Sequence, residues 1–109
     1  MATTKEYHDY IIECLNKAGQ VTSKKMMGEY CLYCNGTLFG GIYDNRFLVK
    51  QTETSKKLLV ESPLELPYEG SKSPMFLVSE FENADFMKVL LEGMIKELKK
   101  WTNLLLTAD

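Results

Sequence analysis

The chain is short of the residues from which reactive centres are usually built. Its 109 residues include one histidine and three cysteines. Nucleophilic catalysis of the Ser-His or Cys-His kind would need His8 beside a nucleophile, with a third group orienting it. Cys14 follows His8 by six residues, toward the opposite side of the same predicted helix. His8 therefore reads as a solvated surface residue. A structural zinc site normally takes four ligands, typically as two close pairs. Cys31-Leu-Tyr-Cys34 supplies one pair, and only Cys14 and His8 remain to complete it. The pair also falls in a predicted strand, where residues three apart point to opposite faces. No helix start is at hand to depress a thiol pKa. The expectation is buried or half-buried strand cysteines, with no metal, no redox pair and no cofactor.

Other absences narrow the field further. No apolar run approaches the ~20 residues of a membrane helix. The opening MATTKEYHDY lacks the apolar stretch of a signal peptide, which predicts a cytoplasmic chain with reduced thiols. A basic excess is missing too, since the net charge is −2. DNA-binding domains usually carry such an excess, because phosphate neutralisation supplies most non-specific affinity. The charge is uneven, however: residues 17–57 carry a net +4 and residues 61–85 a net −5. That asymmetry leaves weak nucleic-acid contact open through Lys24, Lys25, Arg46, Lys50, Lys56 and Lys57. The acidic residues between Glu61 and Asp85 show no spacing that would converge on a pocket. Gly40-Gly41 lies inside a predicted strand, so it reads as a bulge or close backbone approach, not a phosphate loop.

What the sequence does contain is turn chemistry. Asn35-Gly36 and Asp44-Asn45 supply residues that tolerate positive φ, as two-residue hairpin turns require. Aromatic, β-branched and long apolar residues fill the runs between them. Thr3-x-x-Glu6 has capping-box spacing ahead of a helix over residues 4–18, with Gly19 as its C-cap. A first strand is expected over residues 21–27, bent at Gly28. Thr52 or Thr54 starts a second helix that ends before Ser62-Pro63. Segments 65–68 and 75–80 flank a turn-rich linker, with Pro74 at a strand start. Asn83 caps a last helix whose Phe86, Leu90, Met94, Leu98, Trp101 and Leu105 share one side. The expected fold is a single two-layer α+β domain over residues 1–109. It has a five-stranded antiparallel sheet in the order α-β-β-β-α-β-β-α.

The stretch from Lys25 to Lys50 resembles the signature of the TfoX/Sxy family, in its N-terminal domain. The resemblance rests on Lys25, Met26, Met27, Gly28, Tyr30, Leu32, Tyr33, Asn35, Gly36, Phe39, Asp44, Leu48 and Lys50. Leu66-Pro67-Tyr68 adds a similar short aromatic segment downstream. Met27 stands where an aromatic is usual, and Cys31 where a small residue is usual. The family-motif positions Lys25, Gly28, Tyr30, Gly36, Lys50 and Tyr68 carry no role that the residues themselves reveal. The resemblance implies a secretion-chaperone-like fold and a bacterial role near transcription regulation. Two-domain members of the family promote natural competence with a cyclic-AMP receptor protein; this chain resembles their N-terminal domain alone.

The leading expectation is a non-enzymatic regulatory domain acting through protein contacts. Its surface would be a sheet edge or Leu104-Leu105-Leu106, which cannot all face inward on one helix. The methionines at 26, 27, 75, 87 and 94 read first as core filling, with an adaptable partner groove as the alternative. Homodimerisation through an edge or the last helix is a variant of this reading. A small-molecule or enzymatic pocket between the C-terminal helix and the sheet is the alternative from another class.

Overall fold

Helix α1 (Lys5–Leu15) begins at Thr4, whose hydroxyl accepts a hydrogen bond from the Tyr7 amide at 3.2 Å. The spacing of Thr3 and Glu6 pointed to Thr3 as the cap. Thr3 is instead buried and hydrogen-bonded to Glu29, so the helix starts one residue later. It also ends earlier than expected, at Asn16, and Gly19 is not in the left-handed region. The cause is Asn16 itself. Its side chain donates to Ile12 O and Val21 O, each at 3.0 Å, and accepts from the Val21 amide at 3.1 Å. These bonds turn the chain into the sheet.

The computed structural model describes residues 2–107, with side chains through residue 99. Trp101, Leu105 and the Leu104–Leu106 run therefore lie outside the described side chains. Strands β1 (Val21–Met26), β2 (Glu29–Cys34), β3 (Thr37–Ile42) and β4 (Phe47–Val49) form an antiparallel meander. Helix α2 (Glu53–Leu58) follows, then β5 (Leu64–Glu65), β6 (Met75–Leu77) and helix α3 (Ala84–Thr107). The sheet has six strands in the order β1-β2-β3-β4-β6-β5. The class is α+β with an antiparallel sheet, as expected, with one strand more than the five predicted. The extra strand arises at Met27-Gly28, which is a hairpin turn and not a bend. Met27 has φ 53° and Gly28 φ 83°, the same left-handed pair as Asn35-Gly36 (51°, 82°) and Asp44-Asn45 (51°, 55°).

Two expected strands are shorter than predicted. The one expected over 65–68 is strand only at Leu64–Glu65, because the chain turns away from Leu66 on, and 75–80 is strand only at Met75–Leu77. The caps and Pro74 act as the sequence predicted. Thr52 caps α2 in a reciprocal box with Ser55, and the Asn83 side chain accepts from the Phe86 amide at 3.1 Å to start α3. Pro74 directly precedes β6. Gly40 is a close approach, since a Cβ there would fall 2.2 Å from the Leu48 carbonyl oxygen.

Along β2, Tyr30, Leu32 and Cys34 point to one face of the sheet and are buried. Helices α1 and α3 cover that face and touch each other. Ile11 and Leu15 of α1 and Met87, Leu90, Leu91 and Met94 of α3 close the core over Phe39, Ile42 and Phe47. Each such side chain contributes ~1.5–3 kcal/mol on burial, so this layer carries most of the stability. Helix α2 packs on α3, where Glu97 accepts from the Thr54 amide at 3.0 Å. The approach there is tight: a Cβ on Gly93 would lie 2.5 Å from Thr54 Cγ2. No helix among the described residues is long and apolar enough to cross a membrane.

Candidate functional site

Among the described residues no helix lies over the other face of the sheet, and the chain shapes it differently. Glu29, Cys31 and Tyr33 alternate onto it from β2 and are half-buried. Leu48 pairs with Gly41 and Leu77 and is fully buried, and the segment over residues 67–74 helps wall a hollow on this side. Arg46 straps that segment down. Its guanidinium donates to Glu65 Oε1 at 2.8 Å and to the carbonyls of Tyr43, Leu66 and Pro67 at 3.1 Å each.

Gly41 makes room for an aromatic ring on this face. A Cβ there would fall 2.5 Å from Cε2 of Tyr43, so the ring lies against bare backbone. Burial pushes the Tyr43 phenol up to about 12, with the neighbouring Cys31 thiol adding to the shift. The rings of Tyr43 and Tyr68 stand 6.3 Å apart. On one side of Tyr43 is a hollow of ≈ 650 Å³ walled by Met26, Met27, Glu29, Cys31 and Tyr68. On its other side a second hollow of ≈ 650 Å³ reaches Lys50, Gln51 and Pro74. A third, of ≈ 550 Å³, lies where Leu91, Ile95 and Lys96 of α3 meet Cys34 and Gly19.

Glu29 could suggest a general base at the first hollow, but its carboxylate is already engaged. It accepts from Thr3 N at 3.0 Å, Thr3 Oγ1 at 2.7 Å and Asp44 N at 3.0 Å. Asn45 joins the same network through Thr4 N at 3.0 Å. Together these bonds pin the N-terminal segment across the β3–β4 turn. The partners lie 15 to 41 residues apart in sequence, so no local spacing could have disclosed them.

His8 departs from the solvated residue the sequence predicted. Its ring stacks on Tyr30 with centroids 3.9 Å apart, Nε2 lies 2.7 Å from Ser23 Oγ, and Nδ1 lies 2.8 Å from Asp9 Oδ1. The carboxyl of Asp9 is held low by Lys5, which donates to it at 2.7 Å, and by His8. A serine, an imidazole and a carboxylate in line have the connectivity of a nucleophile, base and orienter. Ser23, however, lies on an exposed edge strand, and none of the three hollows is lined by Ser23, His8 or Asp9. The set ties α1 to β1.

The family-motif positions divide. Lys25, Gly28 and Tyr30 gather at the β1–β2 hairpin, and Tyr68 reaches the hollow beside it. Gly36 lies at the far end of β2, and Lys50 lies just beyond β4. The cations proposed for nucleic acid do not form one surface. Lys24 and Lys25 are on edge strand β1, three strand spacings (~14 Å) from β4 and Lys50. Lys56 and Lys57 are on α2, and Arg46 is spent on the strap. Cys31 and Cys34 point to opposite faces, and burial pushes the Cys34 thiol up.

A family model described as the TfoX N-terminal domain matches residues 13–92. A relative in Spirochaeta aurantia, described as an uncharacterized 12.7 kDa protein in the trpE 5′ region, is 31% identical over 72 residues. That match covers 66% of this chain and 63% of the relative, so the chain spans somewhat under two thirds of its length. The hairpin residues that wall the first hollow, from Met26 to Tyr43, fall inside the family match. The chain belongs to the TfoX N-terminal domain family.

Proposed function

We propose that this chain is a non-enzymatic regulatory module that works through protein contacts, in the setting of transcription regulation or competence that its family suggests. One observation carries the reading. Met27, at the tip of the β1–β2 hairpin, is 99% exposed and held at φ 53°. A left-handed, non-glycine residue costs ~1 kcal/mol or more, and strain of this kind gathers at functional sites. Met26 (53% exposed) and Tyr68 (60%) continue the apolar surface into the hollow floored by Tyr43. Thioether side chains repack cheaply against a protein partner. The polar groups nearby hold the fold together: Glu29 binds the N-terminal segment, and Ser23 binds His8.

Capture from native cell extract with the tagged chain and a Met27→Asp variant tests this. A partner recovered by the parent and lost by the variant supports the reading. A tight ligand from a metabolite library with no protein captured sinks it, as does labelling of Ser23 by a fluorophosphonate. A second reading is favoured by the hollow between α3 and the sheet, which suits a small apolar ligand near Cys34. Ligand-induced slowing of Cys34 alkylation separates the two.

A further inference from the structure

We infer that the free edge of β1 is a strand-addition site for an extended, acidic segment of a partner protein. This rests on the protein-contact reading and specifies which surface makes the contact and with what chemistry.

The register fixes which backbone groups are available. Met26 and Glu29 close a two-residue turn, so their pair exchanges both ladder hydrogen bonds. Alternation then assigns the bonded pairs to Lys24↔Cys31 and Thr22↔Tyr33. Val21, Ser23 and Lys25 must therefore turn both N–H and C=O away from β2. Asn16 confirms the phase, because its side chain binds the Val21 N–H and C=O from outside the sheet. Nothing among the described residues does the same for Ser23 or Lys25. Two donors and two acceptors thus face outward along ~7 Å of exposed strand, the repeat an added strand uses.

Charge selects the strand. Lys24 points to the open face between Thr22 and Met26, and Lys25 points to the helix face. Neither has an ion-pair partner among the described residues. An added strand bonded at Ser23 and Lys25 would meet Lys24 at a non-hydrogen-bonded position, where side chains stand closest. A carboxylate fits there. A second copy of this edge would set the lysine pairs of two chains into one ladder, and lysine on an edge is a barrier to that pairing. At the end of the strand, Met27 offers an apolar anchor beyond the ladder.

The test titrates the ¹⁵N-labelled full chain with a capped peptide of about eight residues alternating Glu with Thr and Val, long enough to span the edge. Controls carry Lys in place of Glu, or N-methyl groups on alternate amides. Amide exchange at Ser23 and Lys25 should slow by about tenfold or more. Both controls should bind weakly. Ser23→Pro removes the outward N–H together with the hydroxyl that meets His8 and should abolish binding. Ser23→Ala loses only that hydroxyl and should bind as the parent does, while Lys24→Glu should reverse the preference toward the Lys peptide. No binding at ~1 mM, protection at other amides, or equal binding of the Glu and Lys peptides overturns the inference. A dimer in sedimentation that Ser23→Pro dissociates also overturns it, by giving the edge to a second copy. If a native partner is captured equally by the parent, Ser23→Pro and Lys24→Glu, this inference fails while the protein-contact reading stands. If the peptide binds as described and no partner is captured, the reverse holds.

Discussion

The two edges of the sheet are finished in opposite ways. β5 has two residues, follows Pro63, and is locked from behind by the Arg46 guanidinium on Glu65 and the Leu66 and Pro67 carbonyls. Shortness and proline are ordinary means of closing an edge to further pairing. β1 has six residues, five of them exposed, and among the described residues it is closed only at Val21, by the Asn16 amide. One edge is cut short by proline and strapped by the Arg46 guanidinium; beyond Val21 the other is guarded by lysines. The difference teaches that a charged edge is conditional, because it refuses one kind of strand and admits another.

The largest effect should come from removing the plug on β1. Asn16→Ala deletes three hydrogen bonds and leaves the Val21 N–H and C=O unpaired. A loss of ~2 kcal/mol and a fall in Tm of roughly 10 °C are expected by calorimetry. Arg46→Ala attacks the opposite edge and should cost ~1–2 kcal/mol, because the pair with Glu65 is partly exposed. Proteolysis should then cut within residues 66–74. If Arg46→Ala instead opened β1, the two edges would not be independent. Met27→Asn should stabilise by ~1 kcal/mol in urea unfolding, since asparagine accepts the left-handed conformation more readily. The same variant should weaken partner capture, which separates the strain of the tip from its use.

Smaller still at neutral pH is the contribution of Tyr43, which lies between the edges. Its phenol is raised from 10.0 to about 12, chiefly by burial, so the folded chain holds the proton after the unfolded chain has lost it. Stability should therefore fall as pH climbs from about 10 to 12, and Tyr43→Phe should lack that component of the fall. Absorbance titration should show late-ionising phenols, since Tyr7 and Tyr10 are raised as well, and Tyr43→Phe should remove one of them. Ser23→Ala should change stability least, by ~0.5–1 kcal/mol for the exposed bond to His8, and should leave the edge open to added strands.

Much of the scaffold could be read from local chemistry. Asn35-Gly36, Asp44-Asn45, Thr52, Asn83 and Pro74 each act within a few residues of themselves, and each does what its type suggests. Met27 does not, because methionine has no preference for positive φ. The pairing of β1 with β2 imposes the turn, and a strand was missed in consequence. Thr3 and Gly19 depart from the caps their types suggest for a related reason, since Glu29 takes the Thr3 hydroxyl and Asn16 turns the chain to Val21 before residue 19. Arg46 looked like a phosphate ligand because its charge is visible in sequence and its three carbonyl partners are not. Of the surface described above, the lysines and the Met-Met-Gly step were legible. The direction of the β1 backbone groups was not, because it depends on where the ladder closes.

The contact between α2 and α3 has a further implication. Thr54 occupies the space a side chain at residue 93 would need, so even a methyl group must displace the Thr54 side chain or the helix that carries it. A saturation library should show intolerance there from alanine upward. At residue 36, with no atom within 4 Å, backbone conformation alone should decide, and asparagine should pass.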